Sequence, residues 1–134
     1  MNSTPADEHA ELLVIGAGIA GIAMGAQLRR RGRHDFIIIE RSDEVGGTWR
    51  DNTYPGVACN VPSHLYSFSW AMNPHWSDLY ASGPEIQRYL VRVAREEGLY
   101  PHVRFGADVD EARWIRRPNC GRYGRPALST PAVT

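Results

Sequence analysis

Four consecutive aliphatic residues, Leu12 to Ile15, read as a strand buried on both faces, the pattern of a parallel sheet covered by helices. A glycine-rich turn follows, and Ile19 to Arg31 then reads as a helix. Its end is marked by Arg29, Arg30 and Arg31, favourable near the negative end of the helix dipole, and by the stop signal Gly32. Phe36 to Ile39 is a second buried strand. The three elements form a strand-helix-strand unit of the size a right-handed crossover requires.

Residues 41 to 80 interleave Gly46, Gly47, Pro55, Gly56, Pro62 and Pro74 with aromatic residues and read as mainly ordered loop, the kind of segment that usually serves a ligand. Ser82-Gly83-Pro84-Glu85 resembles a capping box. Ile86, Tyr89, Leu90, Val93 and Ala94 then repeat at helical spacing up to Gly98. His102 to Val109 alternates enough for a short strand, and Ala112 to Ile115 begins another. Residues 1 to 10 carry no periodicity and are expected to form a flexible leader. Residues 116 to 134, with four arginines, three prolines, two glycines and no acid, are expected to form a disordered tail. A shifted reading frame in GC-rich coding would give the same bias. The expected organisation is a single domain over residues 11 to 115.

Composition narrows the function classes. The chain has 134 residues, 43% of them apolar and 22% charged, which suits one globular domain. Its 15 basic and 15 acidic residues cancel, so no net field draws it to nucleic acid or to an anionic membrane. The apolar run from Leu12 to Ala26 is shorter than a membrane span and follows Asp7, Glu8 and Glu11, where an export signal would carry positive charge. Neither a transmembrane segment nor a signal peptide is expected. Cys59 and Cys120 are far apart and form no metal-binding pair, and a reducing cytoplasm fits them. No metal set is visible.

The chemistry lies in the run Val14-Ile15-Gly16-Ala17-Gly18-Ile19-Ala20-Gly21. Gly16 permits a tight turn, Gly18 lets backbone approach a pyrophosphate, and Gly21 allows close packing of the helix. The helix N-terminus then offers N–H groups and partial positive charge to an anion. Glu40 closes the second strand, where an acid accepts hydrogen bonds from adenosine ribose hydroxyls and disfavours a 2'-phosphate. Strand, glycines, helix, strand and acid in register predict a dinucleotide site in an α/β fold with a parallel sheet core, a partial Rossmann-type FAD/NAD(P)-binding domain. The pattern leaves FAD and NAD both open.

Gly46-Gly47-Thr48-Trp49, Tyr54-Pro55-Gly56 and Ser63-His64-Leu65-Tyr66-Ser67-Phe68 resemble the class B flavoprotein monooxygenases, most closely the Baeyer-Villiger branch. The resemblance covers residues 11 to about 114. It implies an FAD whose adenosine rests on Glu40, with Gly16, Ala17, Gly18, Ala20 and Gly21 as further cofactor-binding residues. It places Gly47, Thr48, Trp49, Asn60 and Tyr66 around the flavin end, with the Val109 backbone at the adenine. It further implies NADPH as reductant and oxygen insertion into a ketone or oxidation of a heteroatom, chemistry that the cofactor carries. Catalytic residues are not assigned. Asn60 stands where the family commonly has aspartate, which removes a negative charge near the flavin. The family's second GxGxxG domain for NADPH and its histidine-tryptophan fingerprint are absent from the 134 residues. The expected role is therefore the N-terminal FAD-binding portion of such an enzyme, with a non-catalytic flavin- or nucleotide-binding module or an inactive gene remnant as alternatives. A second polypeptide could complete the sheet.

Among the remaining candidates, Trp70, Trp76 and Trp114 are read as packing residues, His64 and His75 as surface or packing residues, and Cys59 as a small buried side chain rather than a nucleophile.

Overall fold

The computed structural model describes residues 9–113 and 127–128. Strand β1 (Leu12–Ile15) leads through the glycine turn into helix α1 (Ile19–Arg30), and the chain returns as β2 (Phe36–Ile39). A short helix α2 (Thr48–Asp51) and a 3-10 turn (Ser63–Leu65) interrupt a long ordered loop before helix α3 (Gly83–Glu96). A second 3-10 turn (Tyr100–His102) leads into β3 (Val103–Arg104). The sheet order is β1-β2-β3, and both pairings are parallel, with Leu12 opposite Phe36 and Ile38 opposite Val103. This is the parallel α/β core expected from the strand-helix-strand pattern.

The apolar positions converge on one core. Ile22 and Ala26 of α1, Phe36 and Ile38 of β2, Ile86, Leu90 and Val93 of α3, and Leu99 are all buried. Close approach of α1 depends on Gly25, because a Cβ there would lie 2.9 Å from Ile38 Cδ1 and 3.2 Å from Leu99 Cδ2. All four residues of β2 are buried, as expected. Strand β1 differs: Leu12, Leu13 and Val14 are half-buried, and Ile15 is 61% exposed. The reason is position. Among the described residues β1 pairs only with β2, so its outer edge is open and its aliphatic side chains are covered on one side.

The expected strand from His102 to Val109 shortens to Val103–Arg104. Pro101 has no N–H to donate, and Gly106 turns the chain at φ +67°. The interrupted ladder is still used: Gly106 N–H donates to Ser42 O at 3.0 Å and Ala107 N–H to Glu40 O at 3.1 Å. Beyond it, Ala112–Arg113 (β4) pairs antiparallel with Ala127–Leu128 (β5), inside the segment expected to be a tail. The rest of that tail, Trp114 and residues 1–8 of the expected leader lie outside the described residues.

Helix α3 forms where the periodicity places it, but its N-terminus is not a capping box. Ser82 occupies the cap position without a side-chain hydrogen bond to the helix. Glu85 turns instead to Ser77, accepting from its N–H at 2.9 Å and its hydroxyl at 2.8 Å. Ser82→Ala is therefore expected to change the unfolding free energy by less than about 0.5 kcal/mol, against the typical 1 kcal/mol for a bonded cap. Denaturant titration checks this, and a loss above 1 kcal/mol would mean that the hydroxyl does cap the helix.

The long loop is ordered by its aromatics. The Tyr89 hydroxyl accepts from Phe68 N–H at 2.8 Å and donates to Ala71 O at 2.9 Å. Phe68 stacks on Trp70 at 4.8 Å, and Trp76 packs on Tyr89 at 5.3 Å. Trp70 and Trp76 are thus packing residues. Cys59 is a buried free thiol, and His64 and His75 are exposed. Among the described residues, no helix is long and apolar enough to cross a membrane and no cluster of side chains could hold a metal ion.

Candidate functional site

The turn between β1 and α1 is built from backbone. Gly16 adopts φ +89°, a conformation L side chains rarely take, and its N–H donates to Ile39 O at 2.7 Å, tying the turn to the end of β2. Gly21 packs so tightly beneath the turn that a Cβ on it would lie 1.9 Å from Gly16 O. Gly18 caps α1 without a side chain, and the first helical turn contains no acid. The N–H groups at the start of α1 have no carbonyl partner within the helix, and no acidic side chain of the first turn competes for them.

The second glycine pair docks on the first. Gly46 N–H donates to Ala17 O at 2.9 Å, and a Cβ on Gly47 would approach Gly18 Cα to 3.0 Å. Gly46 itself faces Gln87 of α3, whose Oε1 a Cβ would meet at 1.8 Å. Gln87 Nε2 donates to Val45 O at 2.7 Å, so α3 holds the Gly46-Gly47 segment against the turn. From this segment α2 starts at Thr48. The Trp49 indole N–H donates to the Tyr66 hydroxyl at 3.0 Å, with the two rings edge to face at 5.4 Å. Beside Trp49 a cleft of about 730 Å³ opens, lined among others by Tyr54, Val57, Tyr80 and Gln87.

Glu40 is the one buried carboxylate of the site, at 3% exposure. Its Oε2 accepts from Ala17 N–H at 2.8 Å, and its Oε1 accepts from Ser42 N–H at 2.9 Å and from Arg50 Nη1 at 3.2 Å. Burial by itself pushes this carboxyl up. The two N–H groups and the Arg50 guanidinium together outweigh it and hold the carboxyl below the ordinary glutamate value. Arg50 also bonds the backbone oxygen of Glu44 and reaches Asp51 at 2.8 Å.

The structure brings Gly16, Ala17, Gly18, Ala20, Gly21, Glu40, Gly47, Thr48 and Trp49 into one region, with Tyr66 joined to it through Trp49. Asn60 and Val109 lie on other segments. Asn60 is exposed on a segment whose Cys59 N–H donates to Ala81 O at 3.0 Å, and Val109 N–H donates to Asp108 Oδ1 at 3.1 Å. Sequence reasoning missed two residues of this region, Arg50 and Gln87, and quoted Gly46 in the Gly46-Gly47-Thr48-Trp49 motif without giving it a role. A signal existed for Arg50, since an acid that closes a buried strand calls for a cation nearby.

Residues 14–82 match the family described as an NAD(P)-binding Rossmann-like domain. A Baeyer-Villiger monooxygenase of Streptomyces coelicolor is 50% identical over 107 residues, covering 80% of this chain and 21% of that protein. One from Pseudomonas aeruginosa is 41% identical over 115 residues, covering 85% and 22%. Among solved structures, an oxidised steroid monooxygenase bound to NADP aligns with a TM-score of 0.73 at 37% identity, over 79% of this chain and 21% of that one. An open cyclohexanone monooxygenase aligns at 0.75 and 34%, over 79% and 22%. The chain spans about a fifth of the length of the relatives it matches.

Proposed function

We propose that this chain, which belongs to the family of NAD(P)-binding Rossmann-like domains, holds the adenosine-diphosphate half of FAD as part of a Baeyer-Villiger-type monooxygenase. The observation that carries the reading is the side-chain-free cradle of Gly16, Gly18, Gly21 and Gly47 beside the ionised Glu40. The cradle fits the group. Backbone N–H groups at the start of α1 suit a pyrophosphate, and a buried carboxylate held ionised suits ribose hydroxyls. The cleft next to Trp49 has the size of a ligand pocket and supports a place for the flavin ring system; in this reading Thr48, Tyr66 and Asn60, which do not line the cleft, also serve the flavin end and the Val109 backbone the adenine.

FAD, when bound, supplies the redox and oxygen chemistry. This chain's own residues bind and orient it. No second GxGxxG occurs within the 134 residues, so this reading assigns no NADPH site to them. The open outer edge of β1, with Ile15 exposed, supports a further strand completing the sheet, contributed by a second polypeptide in this reading. Residues 11 to 115 form the partial FAD-binding domain, residues 1–10 its leader and 116–134 its tail. The free Cys59 supports a reducing, cytoplasmic location.

The test is ligand selectivity of the 134-residue chain by calorimetry. FAD and ADP are expected to bind with a stoichiometry of one and to compete, while riboflavin does not bind. Riboflavin binding without ADP binding, or no uptake of any of the three, would overturn the assignment.

A further inference from the structure

The Glu40 carboxylate has more partners than a ribose-binding acid needs, and their arrangement divides its two oxygens. A carboxylate offers about four acceptor positions. Ser42 N–H and Arg50 Nη1 fill both on Oε1, and Ala17 N–H fills one on Oε2. One position remains, on Oε2. We propose that Arg50 is a positioning residue for the dinucleotide site: it anchors Oε1 of Glu40, leaving Oε2 to accept a ribose hydroxyl. The proposal rests on the reading that Glu40 binds ribose.

Arg50 is built for such a task. Its side chain is only 14% exposed, and its guanidinium fork is fixed by three groups: Glu40, the Glu44 carbonyl and Asp51. A planar fork held on several acceptors keeps its geometry in a way a lysine would not. Arg50 sits in α2, three residues after Gly47, so the helix that begins at the glycine cradle also carries the group that sets the acid. The two ends of the nucleotide site are thereby mechanically joined.

Other charges around Glu40 come from every neighbouring element. Asp51 of α2 is shared between Arg50 and Arg41, the latter at 3.6 Å. Glu44 in the following loop is engaged by the Tyr100 hydroxyl at 2.5 Å and by Val45 N–H at 2.8 Å. Arg104 of β3 accepts Glu40 N–H on its carbonyl at 2.9 Å, while its guanidinium donates to Pro101 O at 2.9 Å. The first turn of α1 has no acidic side chain. Arg50 is the cation whose nitrogen reaches the Glu40 carboxylate among these groups, and so its removal is the informative change.

The experiment follows the Glu40 carboxyl by carbon NMR in the full chain and, in parallel, the affinity for ADP between pH 8 and pH 5. In Arg50→Met the Glu40 titration is expected to move up, because the guanidinium that favours the charged carboxylate is gone. Arg50→Lys should move it less, in the same direction, and serves if Arg50→Met fails to fold. ADP binding should weaken about tenfold in Arg50→Met at neutral pH, and further as the pH falls. In a Glu40→Gln background the same substitution should change ADP binding by less than about twofold, because coupled residues are not additive. An unmoved Glu40 titration, or an equal loss in both backgrounds, would overturn the proposal. If the unmodified chain binds no ADP, the ribose reading fails, and with it Arg50's role at a ribose; the NMR titration then still decides whether Arg50 sets the charge of Glu40.

Discussion

Gly21→Ala is expected to lower the unfolding free energy by about 3 kcal/mol, the upper end of what overpacking costs, and to abolish nucleotide uptake. The added Cβ would sit 1.9 Å from Gly16 O and 3.0 Å from Gly16 C. Both atoms are backbone, and Gly16 is pinned by its N–H on Ile39 O, so no side chain can swing aside to relieve the overlap. Either α1 moves off the sheet or the turn leaves the end of β2. Urea titration measures the first consequence, with the midpoint shifting at constant slope if only stability changes. Gly18→Ala is the control. Its backbone at φ −73° and ψ −170° accepts alanine, and the new Cβ would meet only Gly47 Cα, at an ordinary 3.7 Å. Gly18→Ala should stay within about 1 kcal/mol of the unmodified chain, the worth of a helix cap, yet still lose ADP binding because its methyl group stands in the cradle. Equal stability losses at the two positions would refute this division between packing and binding glycines.

That division shows how far the sequence reaches. The roles of Gly16, Gly18 and Gly21 follow from one turn whose geometry is local, so spacing alone identifies them. Strand β2 is equally legible, because four apolar residues in a row, Phe36 to Ile39, at the centre of a sheet can only be buried. Strand β1 carries the same signal but lies at an edge, and edge position depends on which strands pair, a property no local window contains. The capping box failed for a related reason: Glu85 found Ser77, eight residues upstream, before it could reach back to the helix start. Gln87 and Gly46 lie 41 residues apart, and Arg50 meets Glu40 only after the chain has closed around the turn. Local chemistry was readable, whereas long-range partners of the same residues were not.

The second large effect is expected at Glu40, where local and long-range partners meet. Glu40→Ala removes the acceptor of Ala17 N–H, of Ser42 N–H and of one arm of Arg50. Breaking a buried ion pair by deleting one member costs about 3 to 5 kcal/mol, and Arg50 retains Asp51 and the Glu44 carbonyl, so about 3 kcal/mol is expected. ADP affinity should fall about a hundredfold, the worth of one charge-assisted hydrogen bond together with the disordered turn. The pH dependence fixes the cause. Because the folded carboxyl titrates below its unfolded value of about 4.3, its contribution is complete above that value and disappears as the pH falls through the folded pKa. The stability gap between the unmodified chain and Glu40→Ala should therefore be constant from pH 7 to pH 5 and narrow below about pH 4. Denaturation at a series of pH values measures that gap. A gap that stays constant into acid would mean that Glu40 supports the turn by packing alone, and that the ionised carboxylate contributes nothing to holding Ala17 in place for a pyrophosphate.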